Sequence, residues 1–166
     1  MASRCLPTCA WLFIRRARGI PRHERKLVLG PWRLIPWLAK EPRLKFPTNI
    51  ARSEELEAKA SYEDPWKRGQ RCIIPASTFD EPNEETGKTA WWQFKRADGN
   101  PWGLAGLWNT WIDKLTGKVH ESYTMLTINA DDHPLMRRMH KPDPNAPSDR
   151  QHKRSMIPLE ATDFDR

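Results

Sequence analysis

The chain has 166 residues, 38% of them apolar, with nine tryptophans and 15 prolines. That is enough for one domain with its own core, joined by long connections. The net charge of +7 is unevenly placed: the first 30 residues hold seven basic side chains against Glu24 alone, a local +6, so the remaining 136 carry only about +1. A basic arm with tryptophans elsewhere is compatible with nucleic acid, because phosphate contacts release counterions. Three cysteines, Cys5, Cys9 and Cys72, form no C-x-x-C pair and have no histidines at zinc-ligand spacing, which argues against a disulfide scaffold or a structural zinc. The apolar run Cys9–Ile14 is too short for a signal-peptide core or a membrane span, so a cytoplasmic protein is expected.

Residues 1–22 follow neither the helical nor the strand period and read as a poorly ordered basic arm. From Lys26 to Trp32 the pattern is a short strand ended by Gly30-Pro31, followed by an aromatic loop from Trp32 to Trp37. Ser53–Ala60 predicts a helix, with Ser53 as N-cap and Glu54 and Glu55 in the first turn. Arg71–Pro75 reads as a buried strand. Three further strand-like runs follow, Thr89–Arg96, Trp102–Trp111 and Lys118–Asn129, separated by turns at Ala97–Asn100 and Lys114–Gly117. An antiparallel meander is the simplest arrangement. Asp131–Met139 suggests a short helix, Pro142–Pro147 a loop, and no internal repeat is visible.

Six residues are candidates for function. Glu81, just past the Arg71–Pro75 strand, could sit in a partly desolvated pocket and pass protons near neutral pH; the alternative is a solvated loop acid. His140 ends the Asp131–Met139 segment, where a histidine serves either as a proton carrier or as a partner of the helix dipole. Trp32 and Trp37 flank Leu34-Ile35-Pro36 and would either stack on nucleobases or cap the core. Trp91, Trp92, Trp102, Trp108 and Trp111 lie in strand-like runs and are expected mostly to pack. Arg52 could reach a phosphate, against a surface ion pair with Glu55, and Asn49 shares its motif.

The order of these pieces resembles the SOS-response-associated peptidase (SRAP) family. The matching segments are Trp32-Arg33-Leu34-Ile35-Pro36, Asn49-Ile50-Ala51-Arg52-Ser53-Glu54, Arg71 to Glu81, and Arg138-Met139-His140. Similarity runs from about Lys26 to Glu160, so residues 1–25 are expected to stand outside a partial family domain at 26–166. The resemblance implies an α+β fold, a curved, mainly antiparallel sheet or barrel with short flanking helices and a basic groove for single-stranded DNA. It implies abasic-site processing by covalent crosslinking in the DNA damage response, together with peptidase self-cleavage and lyase-like chemistry. In that family the residue after the initiator methionine is a cysteine, whose α-amine and thiol capture the ring-opened aldehyde as a Schiff base and then a thiazolidine.

By carry-over, Glu81 and His140 are the expected proton-transfer pair, Arg52 a phosphate contact, and the Trp32–Trp37 loop the base-stacking wedge. The expected partner is single-stranded DNA with abasic sites; no cofactor, metal or membrane is expected, and the chain is expected to be a monomer, at the nucleoid if bacterial. The sequence departs from the family at several places: Ala2 follows Met1 and residues 1–25 lack the family's Cys-Gly-Arg opening, Asn49-Ile50 stands where Ile-Asn is expected, Trp37-Leu38 stands where a small or aromatic residue precedes Trp, and Arg33 replaces a glycine. A one-residue slip in a strand turns a side chain to the other face, which would carry Asn49 away from the site. Because Ala2 brings no thiol beside its α-amine, a module that binds single strands without reacting, or a degenerate fragment, stands beside the enzyme as an alternative.

Overall fold

The computed structural model describes residues 11–16 and 24–164. Ten strands make up most of the regular secondary structure: β1 (Trp11–Arg16), β2 (Arg25–Gly30), β3 (Ile50–Arg52), β4 (Arg71–Ala76), β5 (Phe79–Asn83), β6 (Ala90–Phe94), β7 (Trp102–Ile112), β8 (Val119–Asn129), β9 (Arg154–Met156) and β10 (Pro158–Leu159). A single short helix, α1 (Glu63–Lys67), and three 3-10 turns complete the described structure. None of the described helices is long and apolar enough to cross a membrane.

Eight strands form one sheet in the order β2-β1-β4-β7-β8-β3, with β10 joined to β7 and β9 to β8. All of these pairings are antiparallel except β3 with β8. The expected curved, mainly antiparallel sheet with short helices is therefore what this chain forms. The sheet stays open, yet it curls: Tyr123 in β8 donates its backbone N–H to Pro31 just past β2, and a Cβ on Gly30 would lie 2.7 Å from the Glu121 carbonyl. Only a residue without a side chain permits that approach.

Both faces of the central strands are buried, because alternate residues of β7 and β8 feed two apolar clusters. Leu104, Trp108, Tyr123 and Met125 pack with Phe13, Val28, Cys72 and Ile74 on one face. Leu107 and Leu126 pack with Leu34, Ala51, Leu56 and Tyr62 on the other. Of the strand tryptophans, Trp108 and Trp111 are buried as expected, while Trp91 is exposed.

The structure corrects four expectations. Residues 11–16, read as part of a disordered arm, form β1, because Phe13 fills the core and the strand pairs with both β2 and β4; residues 1–10 and 17–23 of that arm lie outside the described residues. Ser53–Ala60 makes only a 3-10 turn at Ser53–Glu55, with no side-chain cap. Burial of Leu56 and Tyr62 and the ion pair of Glu54 with Arg154 override helical propensity there. The helix forms further on, at Glu63–Lys67, where Pro65 is tolerated near the start and Glu63–Lys67 and Asp64–Arg68 pair one turn apart. Asp131–Met139 likewise contains only a 3-10 turn, Met136–Arg138. The meander is interrupted as well: β5 and β6 leave the main sheet as a separate hairpin, and β3 returns parallel to β8.

Candidate active site

The β5–β6 hairpin places Glu81. Strand alternation puts Phe79, Glu81 and Asn83 on one face of β5, with Phe94 and Trp92 opposite Phe79 and Glu81 on β6. That face packs on Ala130, Met136 and Met139, so Glu81 is only 9% exposed. The carboxylate is in the middle of a strand, and the solvated-loop alternative does not apply. The stacked Phe79 and Phe94 rings, centroids 4.9 Å apart, make the floor of the hairpin rigid.

His140 is brought to it by the segment that follows β8. Met139, fully buried, forms a β-bridge with Asn83, and Asn83 Nδ2 donates to the Arg138 carbonyl at 3.2 Å. Arg138 also makes a two-point contact with Glu85, at 2.9 and 2.8 Å, and lies over the Trp92 ring at 5.1 Å. His140 then turns into the left-handed region at φ 61° and donates its backbone N–H to the Pro82 carbonyl at 2.6 Å. Its Nε2 meets Glu81 Oε2 at 2.8 Å, with 46% of the imidazole side open. The histidine does not end a helix, so the dipole alternative falls away. A buried carboxylate against a half-open imidazole is an arrangement that can hand a proton to or from a bound molecule.

Lys153, which the sequence reading did not single out, is part of this arrangement. It is 6% exposed, and its ammonium donates to the carbonyls of Met139 at 2.7 Å and His140 at 2.5 Å. Burial lowers its pKa from the usual lysine value. In sequence it is one of many basic residues in a polar tail, and nothing in that pattern marks it. His140 and Lys153 line an open cleft of about 780 Å³ with Glu84, Glu85, Asp131 and Arg138.

The remaining expected residues lie on other elements. Arg52 is exposed on β3 and pairs with Glu55 at 3.2 Å, in the surface ion pair weighed as its alternative. Asn49 uses its backbone: its carbonyl accepts from the Met125 N–H at 3.0 Å and from Trp32 Nε1 at 2.6 Å. On β3 the exposed Ile50 and Arg52 alternate with buried Ala51, and Asn49 lies just before the strand. Trp32 is half-buried against the core, whereas Trp37 is 65% exposed. Of the two tryptophans of the loop, Trp32 takes the core-capping place and Trp37 stays open to solvent. Cys72 is 4% exposed, and burial pushes its thiol far above the usual range. Among the described residues, no group of three or more His, Cys, Asp or Glu side chains could hold a metal ion.

Comparison with known proteins places the chain in a family. A crystal structure of a protein from Bordetella bronchiseptica superposes with a TM-score of 0.78 at 36% identity, covering 93% of this chain and 70% of that one. Abasic site processing protein YobE of Bacillus subtilis is 32% identical over 76% of this chain and 57% of its own length. Abasic site processing protein HMCES of Gallus gallus is 27% identical over 66% of this chain and 39% of its own. The chain thus spans about half the length of the curated relatives it matches. The SOS response associated peptidase (SRAP) profile matches residues 4–161, reaching back beyond the Lys26 start of the recognised motifs. With that match over nearly its whole length, the chain belongs to the SRAP family.

Proposed function

We propose that this chain processes abasic sites in single-stranded DNA, with Glu81 and His140 as its proton-transfer pair. The observation that carries the reading is their 2.8 Å contact, made by two separate sequence motifs on a buried carboxylate and a half-open imidazole. Relatives bearing the name abasic site processing protein support the substrate. In this reading Arg52 contacts a phosphate, Trp37 stacks on a base, and the α-amine of the chain condenses with the ring-opened aldehyde, releasing water, to a Schiff base as part of the DNA damage response. Self-cleavage would follow the peptidase description of the family.

A second reading, a module that binds single strands without reacting, is favoured by Cys72. Its thiol is sealed in the core, so it is no candidate nucleophile. One experiment separates the two. The protein is incubated with a single-stranded oligonucleotide carrying one abasic site, and with the intact strand, then run under denaturing and native conditions. A denaturant-resistant adduct with the abasic strand alone is expected. Retardation of both strands without an adduct would leave only the binding module. Binding that does not weaken between low and moderate salt would sink both readings, since phosphate contacts must release counterions.

A further inference from the structure

The two non-glycine residues with left-handed backbone among those described are His140, at φ 61°, and His152, at φ 52°. Such a conformation is disfavoured for a residue with a side chain and persists only where its surroundings hold it. The two histidines bracket residues 141–151, an irregular stretch without strand or helix. Lys153 stands directly after the second. Its backbone is tied at both ends: the N–H donates to Asp131 Oδ1 at 2.8 Å, and the carbonyl accepts from Ala130 at 2.8 Å. Asp131 Oδ2 also accepts from the His152 N–H at 3.1 Å. From that anchored position the lysine side chain crosses to the other end of the loop and donates to the Met139 and His140 carbonyls.

We propose that Lys153 is the positioning residue of the site: by bridging the Met139 and His140 carbonyls it closes the base of the 141–151 loop and holds the His140 imidazole against Glu81. The chemistry of the contacts supports this. A buried ammonium normally recruits a carboxylate, but this one donates to two adjacent carbonyls, while Asp131 and Glu84 act on it through space. A cation in that place secures a backbone path that neither a helix nor a sheet ladder supplies. The lysine binds the backbone carbonyls that lead into the imidazole, so its effect on chemistry passes through His140. The functional consequence rests on the proton-transfer reading above; the positioning itself does not.

The test uses Lys153→Met, which keeps length and removes the donors, with Lys153→Arg as the variant that retains them. The first readout is independent of activity: the imidazole N–H resonance of His140 in a 15N-labelled protein, slowed in exchange by its bond to Glu81. In Lys153→Met that signal is expected to broaden or vanish, and Lys153→Arg should recover it at least in part. The second readout is single-turnover attachment to abasic single-stranded DNA. At saturating DNA it should fall at least tenfold in Lys153→Met, while affinity for the intact strand stays within about twofold. A wild-type imidazole signal in folded Lys153→Met overturns the proposal. If that variant does not fold, Asp131→Ala, which frees the Lys153 backbone, decides in its place, and an unchanged signal there overturns the proposal equally. Should no protein attach to abasic DNA while the signal still depends on Lys153, the proposed function fails and the positioning stands.

Discussion

Glu54 and Arg154 meet in a two-point ion pair, 3.1 and 2.9 Å, that pins the turn after β3 to the start of β9. The same carboxylate accepts the Asn129 N–H at 2.8 Å, so one side chain joins the turn after β3 to β8 and to the start of β9, where Lys153 immediately precedes the strand. The Arg154 hydrogen bonds hold the Glu54 carboxyl at about 2, against its usual 4.5. Arg138 similarly holds Glu85 at about 2. Both folded-state values are depressed, so the stability these pairs contribute is complete above about pH 4.5 and is lost as pH falls toward 2. Glu54 is partly solvated, and its pair is expected to contribute no more than about 1 kcal/mol. Thermal melts should show Glu54→Gln losing a few degrees at pH 7 and nothing near pH 2. An equal loss at both pH values would rule out the ion pair as the cause.

Removing either half of the Glu81–His140 pair should separate chemistry from binding. Glu81→Gln and His140→Ala are expected to slow attachment to abasic DNA by about 10²- to 10⁴-fold, the range for positioned acid–base groups, with affinity for the intact strand nearly unchanged. Parallel loss of both in gel-shift and adduct assays would mark the two as structural residues.

The Asn49–Ile50 inversion makes a directional prediction. Asn49→Ala should leave single-strand affinity unchanged, since Asn49 contributes its carbonyl to Met125 and Trp32. Ile50→Asn changes an exposed position on the Arg52 face and should cost no more than about 0.5 kcal/mol in stability. Arg52→Ala should weaken binding and reduce the salt slope by about one unit if it contacts a phosphate. These are measured by fluorescence titration at several salt concentrations; an unchanged slope would return Arg52 to its ion pair with Glu55.

Trp32 and Trp37 should respond in opposite ways. Trp37→Ala is expected to leave the melting temperature intact and to weaken binding by about 1–3 kcal/mol if the ring stacks on a base. Trp32→Phe removes the 2.6 Å hydrogen bond to Asn49 and should cost about 1 kcal/mol of stability. Denaturant titration alongside strand binding distinguishes them, and a stability loss in Trp37→Ala would make that ring a packing residue.

Cys72 should be inert in the native protein. Its burial and raised thiol pKa predict no alkylation by iodoacetamide at pH 8 until denaturant is added. Peptide mapping after a timed pulse checks this; rapid native labelling would show that the β4–β7 contact opens.

Much of this fold was legible because its strands carry local signals. The apolar run at Arg71–Pro75 and the turns at Ala97–Asn100 and Lys114–Gly117 were enough to foresee β4, β7 and β8. β1 escaped because its arginines mask the one residue, Phe13, that commits it to the core. The Ser53–Ala60 helix was over-read for the opposite reason: its propensities are good, but Leu56, Tyr62 and Glu54 are claimed by partners far away in the chain.

The residue types and their order alone pointed to the antiparallel strands and to Glu81 and His140 as the residues to examine, and the motif order resembled the family, which in turn implied the curved sheet. Motif order and strand periodicity are local properties, readable without knowing what touches what. The tertiary structure decided the rest. It closed Glu81 onto His140, gave Trp32 to the core and Trp37 to solvent, and set the Asn49 carbonyl on Met125 and Trp32. It also drew Lys153 from an unremarkable basic tail to the carbonyls behind the imidazole. Each of these depends on a contact between distant segments, and the low-dielectric burial that gives such a contact its strength exists only once the chain has folded.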